Sequence, residues 1–372
     1  MSQHLAASYP PDSPTGPTIV AVHDNGYIDM GSVIQGRFTW MNAMIQVYLP
    51  GSPTLNTLLY NQENNIFVTG DNQGNIWVAD GNNLNNWNKA NLPSYAFNSV
   101  KAIAYGKRSS DGKGIFVAAG DVQQLNYSTI YSFDGQNWSH PNQYIVITIN
   151  DIIFANGMFV GVGSYLEASG IFYSIDGVTW TTAQGLSGSA TFSAITYANN
   201  LFVAVAQSST VWYSSDGKTW TIATGLSGEA NFNDVTYANN TFVAVADEGT
   251  IWWSPDGKQW TIANEIPPDG PDITFNKVAF GAGQFVAVAD VGDREVIPIY
   301  CSPDGKNWSQ GQHIYYGGTT WGYPRFYDVI YVYDTFYAIE RFAYDPGQTS
   351  SAWRPYSSMD GVIWHRNYYS PY

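Results

Sequence analysis

Thirty acidic residues against fifteen lysines and arginines make carboxylate chemistry the first to weigh in this sequence. Six aspartates recur in one short pattern: SFDGQNW (132–138), SIDGVTW (174–180), SSDGKTW (214–220), SPDGKQW (254–260), SPDGKNW (302–308) and SMDGVIW (358–364). Asp134, Asp176, Asp216, Asp256, Asp304 and Asp360 thereby occupy equivalent positions. Local chemistry accounts for the pattern. Ser and Asp oxygens accept backbone N–H groups exposed by a tight turn, Gly supplies a positive φ, and the Trp three residues later packs across a hairpin. These six are expected to hold turns. Asp151, Asp234 and Asp328 instead follow the start of a strand, where a functional carboxylate is conceivable but a solvated strand-end cap is the plainer reading. Hydrolysis of a glycoside needs two carboxylates about 5–10 Å apart across the sugar, and nothing in the spacing singles out a pair.

Other chemistries find less support. His4, His23, His140, His313 and His365 are scattered without HExxH spacing, the GLSG runs at 185 and 225 are not GxSxG elbows, and no glycine run forms a phosphate loop. No catalytic residue, metal or cofactor is expected. Cys301 stands where equivalent third strands carry Tyr131, Tyr173, Tyr213 or Trp253, so it reads as a buried structural thiol. As the single cysteine it also excludes a disulfide framework. A formal charge of −15 argues against nucleic acid and anionic membrane as partners, since both need clustered cations. The opening MSQHLAASYPPDSP lacks a charged segment followed by an apolar run, and no stretch approaches 18 apolar residues. The expectation is a soluble protein, cytoplasmic or exported without a classical signal peptide, with no membrane insertion.

The elements that must position these residues are strands. Aromatics are 16% of the chain and charged residues only 12%, a turn-rich β composition. Around the box lie four short apolar segments, clearest in FNDVTYA (232–238), FVAVAD (242–247), TIWWS (250–254) and QWTIA (259–263), separated by Asn-Asn, Glu-Gly and Asp-Gly pairs suited to hairpins. Repeats end near Trp40, Trp87, Trp138, Trp180, Trp220, Trp260, Trp308 and Trp364; the 324 residues between the outermost give a period of about 46, within the roughly 40–50 of propeller blades. A lone four-stranded sheet cannot hide two apolar faces, whereas copies arranged about an axis bury each face against the next. The expected fold is therefore all-β, a β-propeller of four-stranded antiparallel blades with eight repeats, forming one domain over 18–372 after an N-terminal extension of 1–17. The first repeat (18–40) shows only three strands, its inner one missing or drawn from LAASY. Seven blades plus an N-terminal extension is the alternative.

The box resembles the Asp-box, or BNR-like, repeat of sialidases, some glycoside hydrolases, sortilin-type receptors and several lectins, whose usual form is SxDxGxxW; here it is one residue shorter. The resemblance spans residues 55–372 and implies a propeller with the box as a structural staple on an outer hairpin. It does not extend to sialidase chemistry. That would need an arginine triad, a Tyr nucleophile with its Glu and an acid Asp, and no FRIP-like opening precedes the boxes among Arg37, Arg108, Arg294, Arg325, Arg341, Arg354 and Arg366.

Recognition is expected on loops. Second loops are long at 121–128, 164–169, 291–298 and 342–355, and the connector 310–326 adds aromatics at the same end of the blades. Tyr315, Tyr316, Trp321, Tyr323, Arg341 and Trp353 are the candidate ligand contacts, with plugging of the channel or a blade edge as the competing role. Trp212, Tyr213, Trp252 and Trp253, adjacent pairs on third strands, are all assigned to inter-blade packing. A surface rich in Tyr, Trp, Asn, Ser and Asp suits sugars, whose CH faces stack on rings and whose hydroxyls pair with planar amides and carboxylates. The expected function is a non-catalytic, multivalent carbohydrate-binding protein, a lectin or hemagglutinin with glycans or glycoconjugates as partners. The alternatives are an Asp-box-type glycoside hydrolase and a protein-binding propeller scaffold.

Overall fold

Pairs of consecutive positive-φ residues cut the chain into hairpins. In the repeat ending at Trp260, Asn239 and Asn240 (φ 47° and 57°) join strand Phe232–Ala238 to Thr241–Ala246, and Glu248 and Gly249 (54° and 64°) join the latter to Ile251–Ser254. Such pairs match the right-handed twist of the strands they link. The box then turns the chain into Thr261–Ile262, completing an antiparallel meander. These are the four segments expected from the sequence.

The computed structural model describes residues 4–8, 18–22, 27–34, 37–40, 47–51, 53–94, 96–121, 127–142, 147–165, 168–188, 190–228, 230–264, 273–290, 299–314, 325–332, 334–341 and 356–366. Among them there is no helix. The chain divides into two compact units, Met1–Phe202 with Ser214–Thr221, and Val203–Tyr213 with Ile222–Tyr372.

In the first unit, strands that begin at Leu55, Ser99 and Thr148 each open a four-stranded meander. A further sheet precedes them: His4–Ser8, Thr18–Val22, Tyr27–Ile34 and Arg37–Trp40 pair in order, and Val47–Tyr48 adds to Tyr27–Ile34. The missing strand is thus HLAAS, so the sheets begin inside the stretch read as a 1–17 extension. In the second unit, meanders open at Phe232, Thr274 and Arg325, and the last gains Gln312–Ile314 in parallel beside Ile363–Arg366. One more four-stranded sheet opens at Phe192. From Leu55 onward, seven sheets share this four-stranded antiparallel form, the last with its added parallel strand, and the fold is an all-β β-propeller. That count fits the seven-blade alternative, with the five-stranded N-terminal sheet as its extension.

Strand alternation distributes each sheet between two seams. In the second unit Phe285, Ala287 and Ala289 pack with Val243, Val245 and Ile251 of the preceding repeat, while Val286 and Val288 pack with Phe326, Phe336 and Trp364 of the following one. The same division holds in the first unit, where Phe116 and Ala118 face Val68 and Val78, and Val117 and Ala119 face Ile149 and Phe159. Burial of such side chains, worth about 1.5–3 kcal/mol each, is available only when a neighbouring copy is present.

Backbone straps close the seams. After its fourth strand, each of several repeats lends one residue to the next box: Asn91 N donates to Gln136 O while Trp138 N donates to Asn91 O, and Gln184 does the same with Lys218 and Trp220. In the second unit Thr224 is bonded in this way to Lys258 and Trp260.

Candidate ligand groove

The box aspartates are consumed by their turns. In the box at 254–260, the buried Ser254 Oγ donates to Asp256 Oδ1 (3.1 Å) and accepts from Gly257 N (2.9 Å). Asp256 Oδ1 also accepts from Lys258 N and Gln259 N at 2.9 and 3.0 Å, and Trp260 Nε1 donates to Gly257 O at 3.2 Å. Asp134, Asp176, Asp216, Asp304 and Asp360 each accept the same Ser hydroxyl and two backbone N–H groups. Burial pushes these six carboxyls up, but the N–H and hydroxyl donors together outweigh it and hold them below the usual carboxylate range. They are ionised turn locks, each with its Oδ1 committed to its own turn.

Two of the first-strand aspartates are buried rather than solvated, and Asp151 is half-buried. In the repeats after the N-terminal sheet, each first strand whose ladder is described bulges near its start, as between Phe232 and Asp234 or Phe326 and Asp328, and a bulge re-aims the side chains around it. Asp234 and Asp328 are only 8% and 4% exposed. Asp234 Oδ2 accepts from Val278 N in the next repeat (3.1 Å), and its Oδ1 lies 3.2 Å from Lys277 Nζ. Asp151 Oδ2 accepts likewise from Ile195 N at 3.0 Å. The bulged asparagines add a parallel ladder: Asn150 Nδ2 donates to Phe192 O, Asn233 to Phe275 O and Asn276 to Phe326 O. The strand amide released at one bulge is satisfied from the neighbouring repeat.

Of the six candidate ligand contacts, Tyr315, Tyr316, Trp321, Tyr323 and Trp353 lie outside the described residues, as do most of the long second loops. Arg341 ends strand Thr335–Arg341 opposite Arg325. Trp212 and Trp252 are buried, as packing requires. Their neighbours carry a contact the sequence did not announce: Lys258 Nζ sits 5.6 Å from the ring centre of Tyr213 and Lys306 Nζ 4.4 Å from that of Trp253, each lysine coming from the following box. Lys218 stacks over Tyr173 in the first unit. Cys301 occupies the same position without a ring; it is buried, and burial pushes its thiol up. No group of three or more His, Cys, Asp or Glu among the described residues is placed to hold a metal ion.

Two adjoining shallow, open grooves lie where the first unit departs from its own repeat. First loops in most repeats are two residues, such as 156–157 and 199–200. In the repeats ending at Trp87 and Trp138 they lengthen to 62–65 and 108–113. Tyr60, Asn61, Gln62, Glu63, Tyr105 and Lys107 line one groove; Glu63, Asn64, Tyr105, Arg108, Lys113 and Phe133 line the other. The two tyrosines are fixed from behind, Tyr60 on Phe67 and Tyr105 on Phe116, both at 4.7 Å between ring centres. Tyr105 Oη donates to Glu63 Oε2 at 2.9 Å, and Lys107 Nζ lies 3.2 Å from the same oxygen. These two partners hold the Glu63 carboxyl below its usual range. Burial, then Glu63, pushes the Tyr105 phenol up to about 12. The Arg108 guanidinium lies 4.7 Å from the ring centre of Phe133, pairs with Asp111, and leaves its buried Nε without an acceptor among the described residues. The signal in the sequence was the KRSSDGK insertion at 107–113, which carries three of the chain's fifteen lysines and arginines.

No protein-family model matches the sequence, and no curated protein does. Solved structures match in fold. The C-terminal WD40 domain of Sif2 superposes with a TM-score of 0.61 at 11% identity, covering 90% of this chain and 92% of its own. The computationally designed Ika8 protein gives 0.60 at 13% identity, with 89% and 91% covered. YCF48, solved bound to a D1 peptide, gives 0.53 at 15% identity, with 79% and 90% covered. This chain is similar to WD40-type and YCF48 propellers in fold; none of these neighbours is described as an Asp-box or BNR-like protein. No helix among the described residues is long and apolar enough to cross a membrane.

Proposed function

We propose that this chain is a non-catalytic recognition protein that binds carbohydrate. The observation that carries the reading is the groove over the 62–65 and 108–113 loops: two braced tyrosines beside the amides of Asn61, Gln62 and Asn64. Rings that offer apolar surface and amides that both donate and accept are what sugar CH faces and hydroxyls require. A reduced form of the pair recurs where Tyr197 faces Asn200 and Tyr237 faces Asn240, so weak sites can act together. Turnover is disfavoured by charge. A glycosidase keeps one carboxyl protonated at working pH, whereas among the described residues each carboxyl that is displaced is displaced downward, Glu63 and Asp111 included. Glycan-array binding and haemagglutination with monosaccharide competition test the reading. Binding that is lost in Tyr105→Ala is expected, and no glycan bound at high protein concentration overturns it.

A protein-binding scaffold is the second reading. It is favoured by the peptide-bound YCF48 neighbour and by Phe133, 49% exposed beneath Arg108, an aromatic–arginine pair of the kind found at interface hot spots. Peptide binding that survives excess monosaccharide would favour it.

A further inference from the structure

We propose that the groove takes a sugar bearing a carboxylate, and that Glu63 occupies the place of that carboxylate in the free protein. The inference rests on the carbohydrate reading above. Tyr105 and Lys107 stand at the end of one strand, Ser99–Lys107, and converge on a single carboxylate oxygen brought by a loop of the preceding repeat. A phenol donor and an ammonium at 2.9 and 3.2 Å are a formed carboxylate receptor, and the occupant shows what fits it. That occupant is held loosely. The side chains of Glu63 and Lys107 are 50% and 58% exposed, and exposed pairs of this kind contribute little to stability. An incoming carboxylate can take over both donors while Glu63 turns to solvent.

The charge around the receptor points the same way. Across a chain with twice as many acidic as basic residues, Lys107, Arg108 and Lys113 fall within seven positions and line these grooves. Of the nearby carboxylates, Asp111 is already spent on Arg108 and on the Lys113 backbone N–H. Among the described residues that line the grooves, Glu63 is therefore the displaceable anion at a locally cationic place, and Tyr105, its phenol pushed up, keeps its proton to donate throughout the neutral range. A neutral sugar brings no charge to replace that of Glu63 beside Lys107.

Calorimetric titration with a uronic-acid oligosaccharide, its methyl ester and a sulfated neutral oligosaccharide tests the proposal on the full chain. The acid is expected to bind, Glu63→Ala to tighten it about threefold or more by removing the competitor, and Lys107→Met to weaken it about tenfold, with partial recovery in Lys107→Arg. Melting temperatures equal to that of the unaltered protein would confirm that each variant is folded. The proposal is overturned if Glu63→Ala weakens binding, or if the ester or the sulfated sugar binds as tightly as the acid. Neutral glycans bound on an array with no preference for the acid would sink this inference and leave the carbohydrate reading standing; no glycan bound at all would sink both.

Discussion

Six copies of one serine–aspartate pair show how little chemistry a turn needs once it is buried on one side. Ser254 and its five counterparts are buried hydroxyls, each between a carboxylate and a glycine N–H. Because the folded-state carboxyls are held low, their contribution is fully present above the unfolded-state value near 3.9 and is lost as pH falls through the lower folded value. The expected melting temperature is therefore insensitive to these six groups from pH 5 to 8 and falls steeply below about pH 4. Asp256→Asn should flatten part of that acid limb; an unchanged limb would show that the turn carboxylates are not its source. The Trp indoles add to the same lock, since Trp138, Trp220, Trp260, Trp308 and Trp364 each donate back to the box glycine carbonyl.

Between elements, close approach decides what a strand can carry. Gly106, next to the last residue of its first strand, and Gly281, the last of its own, lie directly under rings of the following repeat, Phe154 and Tyr331, so that a Cβ at either position would overlap the ring. Gly281→Ala is expected to destabilise by about 1–3 kcal/mol through over-packing, read from urea unfolding midpoints, with Gly283→Ala less informative because its φ of 75° strains any side chain. At this scale the sequence was legible wherever chemistry is local. FNDVTYA, FVAVAD and TIWWS became the strands they resemble, because β-branched and aromatic runs between positive-φ pairs leave little choice. HLAAS was harder to read as a strand: small side chains give no alternation, and only pairing with Thr18–Val22 reveals it. The burial of Asp234 was hidden for another reason, since the amide it caps, Val278 N, lies forty-four residues on in the next repeat. The groove was hidden likewise: 62–65 and 108–113 look like two unrelated insertions until adjacent repeats bring Glu63 to Tyr105.

For the molecule as a whole, the lone thiol offers a reporter. Cys301 is buried in a seam of the second unit with Val286, Phe326 and Trp364, and its thiol is pushed up by burial. It is expected to resist a thiol reagent in native buffer at neutral pH and to react only as that unit opens, with labelling rates rising in step with unfolding in denaturant. Rapid labelling of the native protein would show that the seam opens independently. The backbone straps bear on how such a chain can change over time. Each links the last residues of one copy to the box of the next, as Gln184 is tied to Lys218 and Trp220. Duplicating a whole period leaves every donor beside an acceptor, whereas an insertion of any other length within the strap strands one from the other. Loops such as 108–113 lie clear of the straps, so evolution is free to lengthen them one residue at a time while the blades themselves can be added or removed only in complete steps.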